Sequence, residues 1–225
     1  MRFQDAARDG RAVVYAGIQA DPLVARAAAL LTEASPAERV LARAVMNGES
    51  VEPGAWRSMF PTLFEESADD AGRTRAEAIL AISLAVADHG EQVRSQFRGA
   101  IVEELTAMLL ARRTGATTVH RERRVLFDGV RAEIHPYDVT VERDGAAEAW
   151  DCKWGARGIN ADVLHQLDDA RSHAADEDEG LRVGLVVFDA ERSCAVRLDR
   201  QTAPRDGTLV IGLESLDRLS TGNDA

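Results

Sequence analysis

Lysine is almost absent from this sequence, and cysteine and long apolar runs are scarce. Only Lys153 among the 27 basic residues is a lysine, and two cysteines allow neither a disulfide framework nor a paired zinc-binding spacing. The longest apolar run, residues 78–87, is too short to cross a bilayer. The start of the sequence lacks the charged segment, apolar run and cleavage site of a secretion signal. We therefore expect a cytoplasmic protein without a membrane partner.

Basic charge is also in deficit. The net charge of −11 argues against a protein that coats nucleic acid by bulk electrostatics. The deficit is uneven, because residues 1–90 hold 9 basic and 13 acidic groups, residues 91–159 hold 11 of each, and residues 160–225 hold 7 and 14. A polyanion would therefore meet the neutral middle third first. For any single arginine there, a solvated surface position is the simpler interpretation.

The pattern of residues 1–90 predicts a helical N-terminal region. Asp21-Pro22 starts one helix, and Ser35-Pro36 with Glu38 forms a capping box that starts the next, which ends near Asn47-Gly48. A further helix is predicted from Arg73 to Asp88. From the amphipathic pattern of residues 1–90, we expect this region to recognise a substrate or a partner protein, or to mediate assembly as a homodimer.

Residues 91–225 change character and predict an α/β domain. An amphipathic helix over 92–113 precedes three strand-like runs, with hairpin turns at Asp128-Gly129 and Asp144-Gly145. A helix over 160–173 follows, and then a continuous apolar run typical of a buried strand. The resulting order is α-β-β-β-α-β with a mixed sheet. The predicted strands are 118–127, 131–142, 147–153, 181–189, 194–198 and 208–213, and a short helix is predicted over 214–219.

Two carboxylates and the solitary lysine fall on adjacent strands of one predicted hairpin. Asp151 and Lys153 are two residues apart, so their side chains point to the same face. Asp138 is nearly as far from the turn as Asp151, which places the two carboxylates opposite each other. Carboxylates held that close repel unless a proton or a cation lies between them. Mg²⁺ bound by one or two carboxylates and a substrate phosphate is the usual occupant.

The lysine then has a chemical purpose beside the acidic pair. A compact ammonium can orient or activate a metal-bound water, or stabilise charge on a phosphoryl oxygen. The broad guanidinium fork of arginine does this poorly. This difference explains why Lys153 persists in a chain otherwise committed to arginine.

These residues resemble the PD-(D/E)XK nuclease superfamily, which has a restriction-endonuclease-like fold. The similarity covers roughly residues 93–190. Pro136-Tyr137-Asp138 stands in the place of the first acidic motif, with one extra residue, and Asp151-Cys152-Lys153 stands in the place of the D/E-x-K motif. The resemblance implies an αβββαβ core with a mixed sheet in residues 91–225, preceded by the helical region.

The resemblance also implies roles for individual residues. Asp138 and Asp151 would bind Mg²⁺, or Mn²⁺ in its place, and Lys153 would serve the attacking water. Glu103 would assist at the metal, because the family often carries a glutamate four residues after a glycine in its first helix. Here Glu104 is the less favoured choice for that role. The backbone carbonyl of Cys152 would be a further metal ligand.

The family also implies a position for Gln166 and a biological setting. Several exonuclease-like branches place a glutamine on the helix after the lysine strand, where it positions the substrate or the lysine. Small prokaryotic nucleases of this kind belong to restriction, phage defence or repair.

We therefore expect a metal-dependent nuclease that cleaves phosphodiester bonds, in DNA rather than RNA. Two alternatives stay open at this point. A catalytically inactive binding or assembly module with the same fold would suit the acidic net charge, and an RNase could use the same core. Cys152 with His165 is a weaker candidate for a thiol nucleophile, since strand alternation turns Cys152 away from the acidic face.

Overall fold

The computed structural model describes residues 1–6, 10–48, 52–65, 69–113, 118–128, 135–143, 146–203 and 207–222. Contacts along the chain divide it into two compact units. Gly10–Leu105 is called the helical unit below, and Met1–Asp9 with Thr106–Ala225 is called the sheet unit. The domain boundary that the sequence predicts after residue 90 stays a prediction.

Three helices of the helical unit begin at residues whose side chains accept a hydrogen bond from a backbone N–H of the first turn. The Asp21 side chain accepts a hydrogen bond from the Leu23 N–H, and Ser35 and Glu38 form the predicted capping box. Both predicted helix starts are confirmed. The helices are α1 Gly10–Gln19, α2 Pro22–Thr32, α3 Pro36–Asn47, α4 Pro53–Met59, α5 Pro61–Phe64, α6 Asp70–Ala87 and α7 Glu91–Ala111, of which α7 continues into the sheet unit.

The sheet unit contains one mixed sheet whose six strands lie in chain order. The first four strands pair antiparallel, and the last two pairings are parallel. Helices therefore connect the parallel strands, as such crossovers require. The strands are β1 Arg2–Asp5, β2 Val119–Leu126, β3 Tyr137–Arg143, β4 Ala146–Lys153, β5 Gly180–Val187 and β6 Leu209–Ile211, and the helices are α8 Ala161–Asp176, α9 Glu191–Asp199 and α10 Arg218–Thr221.

The α/β class and the mixed sheet are confirmed, and the elements from α7 to β5 follow the expected order α-β-β-β-α-β. One prediction is wrong: the run Cys194–Leu198 is not a strand but the middle of α9. Cys194 is the buried residue of that helix, so one helical turn explains the short apolar run. The predicted turn residues Gly129, Asp144 and Gly145 lie outside the described residues.

The core of the sheet unit positions β4 at its centre. Ala149 on β4 packs with Val183 and Leu185 on β5 and with Leu164 and Leu167 on α8, all of them buried. On the opposite face of β4, the Trp150 ring occupies the space beside Gly184 of β5. A Cβ at Gly184 would approach the Trp150 ring to 2.5 Å, so glycine is required there. Within the described part of the chain, none of the helices is both long and apolar enough to span a membrane.

Candidate active site

The hairpin of β3 and β4 sets two aspartates side by side. Val139 pairs with Trp150 in antiparallel register, so the next positions outward are Asp138 and Asp151. This is the register that the sequence spacing predicts. Asp151 is buried with 8% of its surface exposed, and Asp138 is partly buried. Two acidic side chains are thus held at one end of the pairing between these strands.

The ammonium group of Lys153 lies against this acidic pair. Its Nζ is 2.7 Å from Oδ2 of Asp151, which confirms that the two side chains share a face. Burial disfavours the charged form of Lys153, but the charges of Asp151 and Asp138 and the hydrogen bond to Asp151 outweigh it, so the pKa of Lys153 is raised. The side-chain amine of Lys153 is therefore protonated at neutral pH.

Asp138 lies between its two neighbouring strands, β4 on one side and β2 on the other. The Cys152 N–H donates a 2.6 Å hydrogen bond to Oδ2 of Asp138, so the backbone of β4 holds this carboxylate in place. On the other side, Arg121 pairs with Val139 and Arg123 pairs with Tyr137, which leaves Glu122 opposite Asp138.

Glu122 departs from strand geometry at this point. Its φ of 52° is in the left-handed region, which costs roughly 1–2 kcal/mol for a residue with a Cβ. The Glu122 carbonyl accepts a hydrogen bond from the Ala6 N–H. Local strain of this kind clusters at functional sites, so it marks the neighbourhood of Asp138 as one that packing holds in an unfavourable conformation.

The aliphatic stem of Lys153 is held by the turn that follows it. A 3₁₀ turn, Ala156–Gly158, returns the chain over the lysine, and a Cβ at Gly158 would come within 2.9 Å of three Lys153 carbons. Only glycine lets the turn approach the stem so closely. The buried Asp189 fixes the turn, because its Oδ2 accepts a hydrogen bond from the Ala156 N–H at 3.0 Å.

The opposite face of β4 has a structural role. The Cys152 thiol lies 3.4 Å from the Thr106 hydroxyl, away from Asp151, as alternation predicts. Trp150 donates from its indole nitrogen to Glu148, whose other carboxylate oxygen pairs with Arg113. Trp154 stacks on Phe188 with ring centroids 5.0 Å apart. These contacts anchor the strand and leave its other face to the charged groups.

Gln166 contacts the start of β3. The side-chain amide of Gln166 donates to the His135 backbone carbonyl at 3.1 Å, and the backbone carbonyl of Gln166 accepts a hydrogen bond from the hydroxyl of the buried Tyr137 at 3.4 Å. These bonds tie α8 to the residues just before Asp138. A direct role of Gln166 toward substrate or Lys153 stays a prediction.

Glu103 lies on α7 within the helical unit, and it is buried. Its two carboxylate oxygens accept hydrogen bonds from the Tyr15 hydroxyl at 2.6 Å and the Gln19 amide at 2.8 Å, both from α1. Neutral donors thus solvate this buried carboxylate. Its role at the metal, the choice against Glu104 and the Cys152 carbonyl ligand all stay predictions.

The ligand atoms that the hairpin offers determine which metal ion it could bind. In the described part of the chain, no group of three or more histidine, cysteine, aspartate or glutamate side chains is gathered as a metal cage. The two aspartates by themselves fit the open kind of magnesium site, in which one or two carboxylates act with water and substrate phosphate. The fit rests on the donor chemistry of Asp138 and Asp151.

Sequence reasoning missed three residues that shape this region. Asp189 stands two residues after the end of β5, and a carboxylate just beyond a buried strand was the available signal. Gly158 could be recognised only once the turn was known to pass over Lys153. The conformation of Glu122 leaves no mark in the sequence, since glutamate is not among the residues that favour a positive φ.

Comparisons with known proteins do not assign this chain to a family. No family model matches it, and no curated protein does either. One solved structure with a similar arrangement is that of protein VC1899 from Vibrio cholerae, at 18% identity and a TM-score of 0.43. The similarity covers 97% of this chain and 56% of that chain, so this chain spans little more than half the length of that protein. We therefore infer function from the residues of the site.

Proposed function

We propose that this protein is a metal-dependent phosphodiesterase that hydrolyses nucleic acid, with DNA as the preferred substrate and a restriction-endonuclease-like core. The observation that carries the proposal is the placement of Asp138, Asp151 and Lys153 on one hairpin, with the Lys153 ammonium 2.7 Å from Asp151. Paired carboxylates beside a compact cation suit a reaction in which negative charge develops on a phosphoryl oxygen.

Each residue has a distinct task in this proposal. Asp138 and Asp151 would hold Mg²⁺ or Mn²⁺, which when bound supplies an acidified water and neutralises phosphate charge. The Cys152 N–H keeps the Asp138 carboxylate oriented, and Lys153 keeps Asp151 from turning away. A preorganised carboxylate pair costs no rearrangement when the metal and substrate arrive.

Lys153 would act as a positive charge at the phosphodiester. Its stem is confined by Gly158 and its ammonium by Asp151, so the charge is held in one place. An ammonium at a fixed point stabilises the anionic oxygen of a phosphoryl group more than a mobile one does. The place of this activity in restriction, phage defence or repair stays a prediction.

The direct test compares cleavage of supercoiled and linear DNA in the presence of Mg²⁺. We expect Lys153→Ala and Asp138→Asn to lose activity by about 10²-fold or more, because the first removes a cation at the reacting phosphate and the second removes a carboxylate that would hold the metal. Asp169→Asn is the matched control, since Asp169 is exposed on α8. Full activity in either site variant would refute the proposal.

Calorimetric titration with Mg²⁺ and Mn²⁺ provides a readout that does not depend on cleavage. Binding that disappears in Asp138→Asn and persists in Asp169→Asn supports the metal role. Absence of binding to the unaltered protein, with DNA present and absent, favours the alternative of a non-catalytic module. Cleavage of an RNA panel in preference to DNA would shift the substrate class and keep the mechanism.

A further inference from the structure

A basic depression lies on the sheet unit beside the turn that confines Lys153. Its volume is about 400 Å³. Among the described residues that line it there are four arginines and no carboxylate, in a chain whose net charge is −11. The lining residues are Ala156, Arg157, Arg192, Ser193, Val196, Arg197 and Arg200.

The secondary structure explains why the cations converge. Arg192, Val196 and Arg200 are spaced by four residues on α9 and at its C-terminal cap, so they share one helical face. Arg157 comes from the 3₁₀ turn Ala156–Gly158 and completes the lining. Two separate elements thus present guanidinium groups to one depression.

One of the arginines is held in place by the backbone. The Nε–H of Arg197, which also lines the depression, donates to the Ile159 carbonyl at 2.8 Å. By contrast, Arg157, Arg192 and Arg200 form no ion pair with a carboxylate among the described residues. Gathering like charges without a counter-charge is unfavourable, and a bound polyanion would relieve the cost.

One short segment, the turn Ala156–Gly158, contributes both to the depression and to the surroundings of Lys153. Arg157 is the neighbour of Gly158, whose Cα lies against the stem of Lys153. Ala156 lines the depression and is fixed by Asp189. A phosphate backbone bound along α9 would therefore contact the turn that packs against the stem of Lys153.

We propose that the arginines of α9 and the 3₁₀ turn bind the phosphate backbone of the nucleic acid that the hairpin cleaves. This inference rests on the proposed function and adds a binding surface to it. Guanidinium groups contact phosphate oxygens in pairs of hydrogen bonds, which suits an arginine-rich surface. Such contacts position the substrate without reading its sequence.

Binding of a fluorescent DNA duplex, followed by anisotropy over a series of salt concentrations without added divalent metal, tests the inference. We expect Arg192→Glu with Arg200→Glu to bind about 10-fold more weakly and to lower the slope of log K against log salt by about 2, since two phosphate contacts are lost. Replacing both residues with lysine should restore most of the slope. Arg26→Glu, on an exposed position of α2, is the control for charge alone.

The outcomes separate this inference from the proposed function. An unchanged slope in the double glutamate variant, or an equal loss in Arg26→Glu, overturns the surface even if the protein cleaves DNA. Displacement of the duplex by inorganic phosphate or a mononucleotide at equal phosphate concentration overturns it in favour of a small-anion site. If the arginines bind DNA but the hairpin does not cleave it, the salt slope still falls in the double glutamate variant while the unaltered protein shows no cleavage. An RNA duplex of the same length identifies which phosphodiester backbone is preferred.

Discussion

The helical unit and the sheet unit distribute charge in opposite ways. In the helical unit, acidic and basic side chains meet as pairs, and the buried Glu103 is satisfied by neutral donors. Such pairing neutralises charge close to where it arises. Pairs among the described residues include Arg57 with Glu77, Arg75 with Glu38, Arg73 with Asp70, and Glu91 with Arg94 and Arg98.

The sheet unit forms such pairs too, but it also concentrates charge of one sign. Asp138 and Asp151 stand together with a single lysine, and four arginines line the depression beside them. Like charges held together raise the free energy of the folded state unless a ligand compensates. The proposed function therefore rests on local imbalance of charge and not on the net charge of the chain.

The largest effect should come from breaking a buried pair in the sheet unit. Arg113 contacts Glu148, and both side chains are at least 86% buried, with exposures of 7% and 14%. Arg113→Ala would leave the Glu148 charge without its partner, which costs about 3–5 kcal/mol of unfolding free energy. Urea denaturation measures the loss.

The helical unit supplies the control for this comparison. The Arg57–Glu77 pair is roughly half exposed, with side-chain exposures of 43% and 41%. Solvent screens such a pair, so Arg57→Ala should shift the urea midpoint little. Equal losses in Arg113→Ala and Arg57→Ala would contradict the assignment of the larger effect to the more buried of the two pairs.

A second variant changes the shape of one charge and keeps its sign. Lys153→Arg retains a cation beside Asp151, but a guanidinium fork does not fit a position shaped for an ammonium on a confined stem. We expect cleavage by this variant to fall by about 10²-fold while the metal-binding enthalpy stays near that of the unaltered protein. Retention of full activity would show that only the charge matters.

A third variant alters the turn and leaves every charge in place. Gly158→Ala adds a Cβ that collides with the Lys153 stem, so the ammonium must shift. We expect kcat to drop by about 10-fold with KM nearly constant, since in the proposed function the displaced group acts at the reacting phosphate. Gly54→Ala, where the same Cβ meets open space, should leave both constants unchanged. A rise in KM alone would instead assign the turn to substrate binding.

The smallest effect concerns acid sensitivity in the helical unit. The hydrogen bond from Arg57 is the main reason why the pKa of Glu77 is lowered from 4.5. A lowered pKa contributes stability that is present above pH 4.5 and is lost as the pH falls through the folded-state value. The stability difference between the unaltered protein and Glu77→Gln should therefore shrink below pH 4.5 and stay constant above it. A difference that widens in acid would contradict this sign.

The sequence was sufficient where one local rule decided the outcome. The capping box at Ser35, the hairpin register of Asp138 with Asp151, and the alternation of Cys152 and Lys153 all follow from short-range geometry. These three predictions define the helix starts and most of the candidate site. The polar strand Arg2–Asp5 was missed because its pairing with β2 depends on residues more than a hundred positions away.

The error at Cys194 had a larger consequence. A strand over residues 194–198 would alternate its side chains, whereas the helix α9 brings Arg192, Val196 and Arg200 onto one face. Short apolar runs do not distinguish a buried strand from one turn of a buried helix. The basic depression was therefore invisible until the three-dimensional structure showed which secondary structure forms there.

Lys153 is also the only side-chain amine in the protein. A reagent that acylates amines has one internal target, and that target stands beside Asp151 with 26% of its side chain exposed. Its modification would report on the hairpin alone, without a background of surface lysines. The same scarcity gives any cellular enzyme that tags lysine side chains only one acceptor in this chain. Covalent labelling can thus follow occupancy of the site directly, by mass and without an engineered probe.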